Sequence, residues 1–181
     1  MSSETRKLTV EEMHRISVEE FRQADKMPVV VVLDNVRSLH NIGSVFRTCD
    51  AFRISVIYLC GISATPPHPE IHKSALGAEF SVAWRHVADT MEAVTELRNQ
   101  GFRIYAVEQT ENSCLLQEAC FDADESYALV FGNEIRGVSQ DVVDACDGTL
   151  EIPQFGTKHS FNVSVCAGIV LWEVYKQRNA Q

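Results

Sequence analysis

No apolar run in this 181-residue chain approaches the ~20 residues that a helix needs to cross a bilayer, so a membrane span is not expected. The stretch from Met1 to Arg15 has no apolar core of the kind a secretory signal carries, which makes the cytoplasm the expected compartment. The six cysteines (Cys49, Cys60, Cys114, Cys120, Cys146, Cys166) form no C-x-x-C pair, and no histidines show H-E-x-x-H spacing. Reduced thiols acting as small hydrophobes are expected, and no metal site is predicted. There is no G-x-x-x-x-G-K-S/T phosphate loop and no G-x-G-x-x-G dinucleotide fingerprint, which removes the commonest nucleotide-binding signatures.

Positive charge is also scarce. Sixteen Lys and Arg face 25 Asp and Glu, a formal net charge of -9, which argues against a general polyanion binder because phosphate contacts dominate nonspecific nucleic-acid affinity. The acidity is local, however: Glu108 to Glu151 holds eleven acidic residues and one basic one, Arg136, so the remainder of the chain is close to neutral. With 45% hydrophobic residues and a length typical of one domain, a single globular core is expected over residues 28–181, preceded by an N-terminal helical extension over residues 1–27.

In that extension a Thr9-x-x-Glu12 capping box predicts a helix to about Lys26, with Met13, Ile16, Phe21 and Ala24 near one face. Val29 to Leu33 is an unbroken β-branched run of the kind that suits a strand buried on both faces of a parallel sheet. Asn41 is placed to cap a helix from Ile42 to about Phe52, and Ile54 to Cys60 reads as the next strand, completing a β-α-β unit. A short helix near His72 to Leu76, a strand at Ser81 to Arg85 and a helix capped by Asp89 and ending before Gly101 follow. Further strands are predicted at Phe102 to Val107, Tyr127 to Phe131 and Thr149 to Ile152, with a helix at Gln140 to Cys146 and a final helix from about Phe161 to Arg178. Strands alternating with helices indicate an α/β fold around a mostly parallel sheet, whose ligands bind outside the carboxyl ends of the strands.

Three of those strand-end loops carry distinctive residues. The first reads Asp34-Asn-Val-Arg-Ser-Leu-His-Asn41-Ile-Gly43-Ser-Val-Phe-Arg47, with Asn41 and Arg47 almost two helical turns apart. The second, Phe131-Gly132-Asn133-Glu134-Ile-Arg136-Gly137, can expose backbone groups to a ligand, and its Glu134 and Arg136 are near enough to interact with an opposing chain or each other. The third, Ile152-Pro153-Gln-Phe-Gly156-Thr-Lys158-His159-Ser160-Phe161-Asn162-Val-Ser164, offers Ser160 and Asn162 as caps for the last helix and as donors to a ligand. Taken singly, each is equally readable as an ordinary cap or turn.

In this order the three stretches resemble the SpoU, or TrmH-like, branch of the SPOUT RNA methyltransferases, whose marks are N-x-G-x-x-x-R, F-G-N/P-E-x-x-G and I-P-M-x-G-x-x-x-S-L-N-V-S. The resemblance runs from about Val29 to Tyr175 and departs from the pattern at Gln154 and Phe161. It implies a deep trefoil knot of the SPOUT type, a homodimer whose sites borrow residues across the interface, and S-adenosylmethionine-dependent methylation of a ribose 2′-hydroxyl. It also implies Asn41, Arg47, Glu134, Ser160 and Asn162 as the functional set, and Gly132, Ile152, Ser160 and Phe161 as a cofactor pocket with Val107 to Gln109 as a further wall. A guanidinium stays protonated, so Arg47 is expected to stabilise a developing alkoxide or orient an RNA phosphate rather than act as a base. RNA contacts are expected from Arg37, His40, Arg53, His72 and Lys73. The substrate is RNA, tRNA or rRNA; tRNA is favoured because the chain lacks the extra N-terminal domain of many ribosomal-RNA members. The competing reading is a noncatalytic RNA-binding or assembly factor that keeps the knotted fold.

Overall fold

The computed structural model of the protein describes residues 5–179. The N-terminal extension differs from the single helix expected. The Thr9 box forms, with the Thr9 N–H donating to Glu12 at 2.8 Å, but only a 3-10 turn over Glu11–Met13 follows, because His14 enters the left-handed region at φ 47°. A second box, Ser17 with Glu20, then starts α1 (Val18–Gln23) afresh. Two short-range caps eight residues apart, at Thr9 and Ser17, outcompete one continuous helix. Of the proposed apolar face only Phe21 is buried, while Met13 and Ile16 are exposed.

The core runs β1 (Met27–Asp34), α2 (Leu39–Ala51), β2 (Ile54–Cys60), α3 (Pro69–Ala75), α4 (Ala78–Ser81), β3 (Trp84–Val87), α5 (Thr90–Asn99) and β4 (Arg103–Val107). It continues with β5 (Cys114–Leu115), β6 (Tyr127–Phe131), α6 (Gln140–Ala145), β7 (Gly148–Glu151) and α7 (Val163–Asn179). The third strand begins at Trp84 rather than Ser81, since Ser81 closes α4 by hydrogen-bonding the Ala78 carbonyl. The cap of α2 is Ser38, whose Oγ accepts from the Asn41 N–H; Asn41 lies within the first turn and its side chain is released for other use. Gly43 lets α2 approach α3 closely, for a Cβ there would fall 2.4 Å from the Ile71 carbonyl oxygen.

All seven strands are parallel, in the order β3-β2-β1-β6-β4-β7-β5. The unbroken β1 run explains its central place: Val29, Val31 and Leu33 pack towards α2, α3 and α7, while Val30 and Val32 pack towards α5 and α6. Strand alternation thus loads both faces at once. Register aligns the carboxyl ends, pairing Leu33 with Phe131, Phe131 with Val107, and Val107 with Leu150. The next residues in sequence, Asp34, Gly132, Glu108 and Glu151, therefore emerge along one edge. No helix among the described residues is long and apolar enough to cross a membrane.

Leu129 is fully buried in β6 at the sheet centre. Leu129→Ala should lower unfolding free energy by ~2–5 kcal/mol, read from the urea midpoint, against a change within ~0.5 kcal/mol for the exposed control Val10→Ala.

Candidate active site

The three distinctive loops meet at the carboxyl edge through side-chain amides and one carboxylate. Glu134 accepts from the backbone N–H groups of Arg37 (3.0 Å) and Ser38 (2.9 Å) and from the Asn41 side-chain amide (3.0 Å). The Asn41 Oδ1 in turn accepts from the Asn162 amide at 3.0 Å. Asn162 then caps α7, its Oδ1 accepting from the Ser164 N–H at 3.0 Å and the Ser164 hydroxyl at 2.7 Å. Residues 121 positions apart in sequence are thus joined by a single relay. Arg136, by contrast, does not bond Glu134.

Burial alone would raise the Glu134 carboxyl, but the donors from Arg37, Ser38 and Asn41 together outweigh it and hold its pKa below the ordinary 4.5. The loop itself is shaped by Asn133, which exchanges two backbone hydrogen bonds of 2.9 Å with Gly137 and donates its side-chain amide to the Asn35 carbonyl at 2.7 Å.

Two carboxylates to which sequence reasoning gave no role of their own support this frame. Asp34, 2% exposed, accepts from Thr90 Oγ1 (2.6 Å), the Asn35 amide (2.8 Å) and both the N–H (2.9 Å) and hydroxyl (3.0 Å) of Ser139, tying β1 to the starts of α5 and α6. Glu108 accepts from the Val138 N–H at 3.0 Å. The available signal was positional: each is the acidic residue where a buried strand ends.

The residues expected around a cofactor divide. Gly132, Val107 and Ile152 lie at adjoining strand ends, half-buried, with Val107 and Ile152 packed on the core. Gln109, after β4, and Ser160 and Phe161, in the loop before α7, are exposed, Phe161 at 40%. An apolar floor beside strand-end backbone groups fits a flat heteroaromatic ring held by main-chain hydrogen bonds, as the adenine of S-adenosylmethionine requires.

Arg47 is not with Asn41. It lies near the far end of α2, exposed, in an open cavity of about 1320 Å³ between the N-terminal extension, α4 and the end of α7. Arg53 and Arg15 line the same cavity; Arg15 was not foreseen. Of the other basic residues named for RNA, Arg37 and His40 sit at the start of α2, and His72 and Lys73 on α3. Arg37 is exposed beside Glu134, while His40 and Lys73 both face Glu70, at 3.4 and 2.5 Å. His68 and His72 stand four apart, but His68 Nδ1 accepts from the Glu70 N–H at 3.1 Å and His72 pairs with Glu79 at 2.5 Å.

A parallel sheet with its crevice at the carboxyl edge is the architecture of α/β proteins that bind nucleotide-like cofactors. More narrowly, the chain belongs to the SpoU rRNA Methylase family, which it matches over residues 28–172. It is 35% identical to the tRNA (guanosine(18)-2'-O)-methyltransferase of Aquifex aeolicus over 88% of this chain and 72% of that protein. The enzyme of the same name from Thermus thermophilus is 32% identical over 92% and 84%. Among solved structures, the A. aeolicus TrmH/SpoU tRNA modifying enzyme superposes with a TM-score of 0.79 at 30% identity, covering 90% and 83% of the two chains. The SpoU methyltransferase AviRb of Streptomyces viridochromogenes, solved in complex with the cofactor AdoMet, gives 0.73 at 28% identity over 90% and 65%.

Because the folded pKa of Glu134 is depressed, its stabilising contribution is complete above about 4.5 and is lost as pH falls through the lower native value. Urea midpoints followed from pH 7 to pH 3 should therefore fall more steeply in the wild type than in Glu134→Gln.

Proposed function

We propose that this chain is an S-adenosylmethionine-dependent RNA methyltransferase that transfers a methyl group to a ribose 2′-hydroxyl of tRNA, acting as a homodimer. The observation that carries the reading is the relay from Glu134 through Asn41 to Asn162, which unites all three family motifs beside the crevice of Gly132, Val107 and Ile152. The preference for tRNA is supported by the names of the relatives from A. aeolicus and T. thermophilus.

S-adenosylmethionine supplies a methyl group already activated by its sulfonium, without a metal. The protein's task is placement and proton handling. Asn162 and Ser160 hold the loop that closes the crevice; Asn41 and Glu134 fix its opposite wall. Arg47 orients the ribose or its phosphate and stabilises the oxyanion as the 2′-hydroxyl proton departs. In its own subunit Arg47 lies at the wrong end of α2 for this, so a second copy must deliver it. An apolar strip along α7 supports that assembly: Val165, Trp172 and Tyr175 recur at helical spacing and are 51%, 53% and 37% exposed, with Phe161 just before the helix 40% exposed.

The knotted threading belongs to the same proposal and is supported by the path of residues 152–162, which leave β7 and reach α7 against Asn41 in the first turn of α2. Arg15 and Arg53, which line the cavity with Arg47, are suited to RNA phosphates, as are the exposed Arg37, His40 and Lys73. Six unpaired thiols fit the reducing cytoplasm.

Calorimetric titration with S-adenosylmethionine should show binding by the wild type and its loss in Asn162→Ala, followed by 2′-O-methylation of tRNA in preference to rRNA. Absence of binding with and without tRNA would favour a noncatalytic RNA-binding protein. For the shared site, Arg47→Ala and Glu134→Ala chains should each be inactive, yet regain activity when co-expressed, because one site of each mixed dimer is intact. Lack of recovery in confirmed mixed dimers would place Arg47 in its own subunit's site.

A further inference from the structure

We infer that Glu108 is a specificity-determining residue for the cofactor, supplying the negative charge that favours a sulfonium-bearing ligand over the neutral thioether left after transfer. This rests on the methyltransferase reading above.

Glu108 directly follows β4, and its N–H still bonds the Leu150 carbonyl at 3.0 Å, so the residue remains on the sheet while its side chain leaves the carboxyl edge. The flanking strand ends are those that carry Gly132 and Ile152. The carboxylate is half-buried, and its partners are two neutral main-chain donors, the N–H groups of Gln109 (2.9 Å) and Val138 (3.0 Å). No Lys, Arg or His forms an ion pair with it among the described residues, although eight such pairs occur elsewhere.

A part-buried anion without a cation is costly unless something else compensates it. The surrounding chain is built to accept this one. Gly137 sits at φ +68°, and a Cβ there would fall 2.0 Å from the Glu108 Oε2, so the loop bearing Glu134 is moulded around the carboxylate. The charge is also felt by α7: burial chiefly, and Glu108 in addition, push the Cys166 thiol in its first turns up to about 12. Glu108 therefore stands against the 132–138 loop, at a strand end flanked by those that lead to Gly132 and Ile152, two of the residues expected to hold the cofactor.

A fixed anion there attracts a ligand carrying an extra positive charge at sulfur. Methyl transfer removes that charge, so the same carboxylate lowers the grip on the product and helps it leave. Glu108→Gln tests this, since it retains an acceptor for Val138 but abolishes the charge. The readout is calorimetric affinity of the full-length protein for S-adenosylmethionine, S-adenosylhomocysteine and sinefungin, whose amine carries a positive charge at the sulfonium position. Glu108→Gln should weaken S-adenosylmethionine and sinefungin on the order of tenfold and S-adenosylhomocysteine far less. Glu108→Asp, which keeps the charge, should preserve the wild-type ratio between the ligands even where loop packing weakens all three.

Equal weakening of all three ligands in Glu108→Gln would overturn the inference and leave Glu108 as a loop strap. So would unchanged affinities. If the wild type binds none of the ligands, with or without tRNA, the methyltransferase reading itself fails, an outcome distinct from either of these.

Discussion

The site depends on one carboxylate finding three donors. Glu134 sits on a loop after β6, while the N–H groups of Arg37 and Ser38 belong to the segment between β1 and α2 and the amide of Asn41 to the first turn of α2. Hydrogen bonds to a charged acceptor are stronger than neutral ones, and here they offset the penalty of partly desolvating the carboxyl. They also orient Asn41, which leaves its Oδ1 facing the Asn162 amide and so determines where α7 begins. Without the carboxylate, two loops and a helix start would each have to find another reason to meet.

The rest of the carboxyl edge repeats this device of an acidic side chain collecting hydrogen-bond donors from neighbouring segments. Asp34 gathers α5 and α6 onto β1, and Glu108 gathers the 132–138 loop onto β4. The local acidity of residues 108–151 is therefore partly structural. It also explains how a chain of net charge -9 can remain compatible with an RNA substrate: its cations are placed elsewhere, with Arg15, Arg47 and Arg53 lining one cavity away from the acidic stretch. Phosphate affinity depends on where charge is placed as well as on its sum.

The family relationship and the geometry constrain each other at Arg47. By motif position it belongs with Asn41, but six residues along α2 carry it to the other end of the helix, facing a different cavity. The exposed strip of Val165, Trp172 and Tyr175 runs along the neighbouring α7, where Phe52 from the end of α2 packs against both rings, at 6.2 and 5.3 Å. Both the guanidinium and this strip are exposed on the subunit.

Much was legible in the chain itself. The β-branched run of β1, the alternation of strand and helix, and the three ordered motifs determined a parallel α/β sheet and a SpoU-type methyltransferase, because burial on both faces and strand-end chemistry write local patterns. Local patterns misled where two were in competition. The Thr9 box lost its helix to the Ser17 box, and Asn41, a good cap by type, yielded that role to Ser38. Only the tertiary structure could decide what Asn41 does instead, which strand ends stand side by side, and that Glu108 and Asp34 face the loops they hold. Each of these is a contact between residues tens of positions apart, set by sheet order and register rather than by any neighbour in sequence.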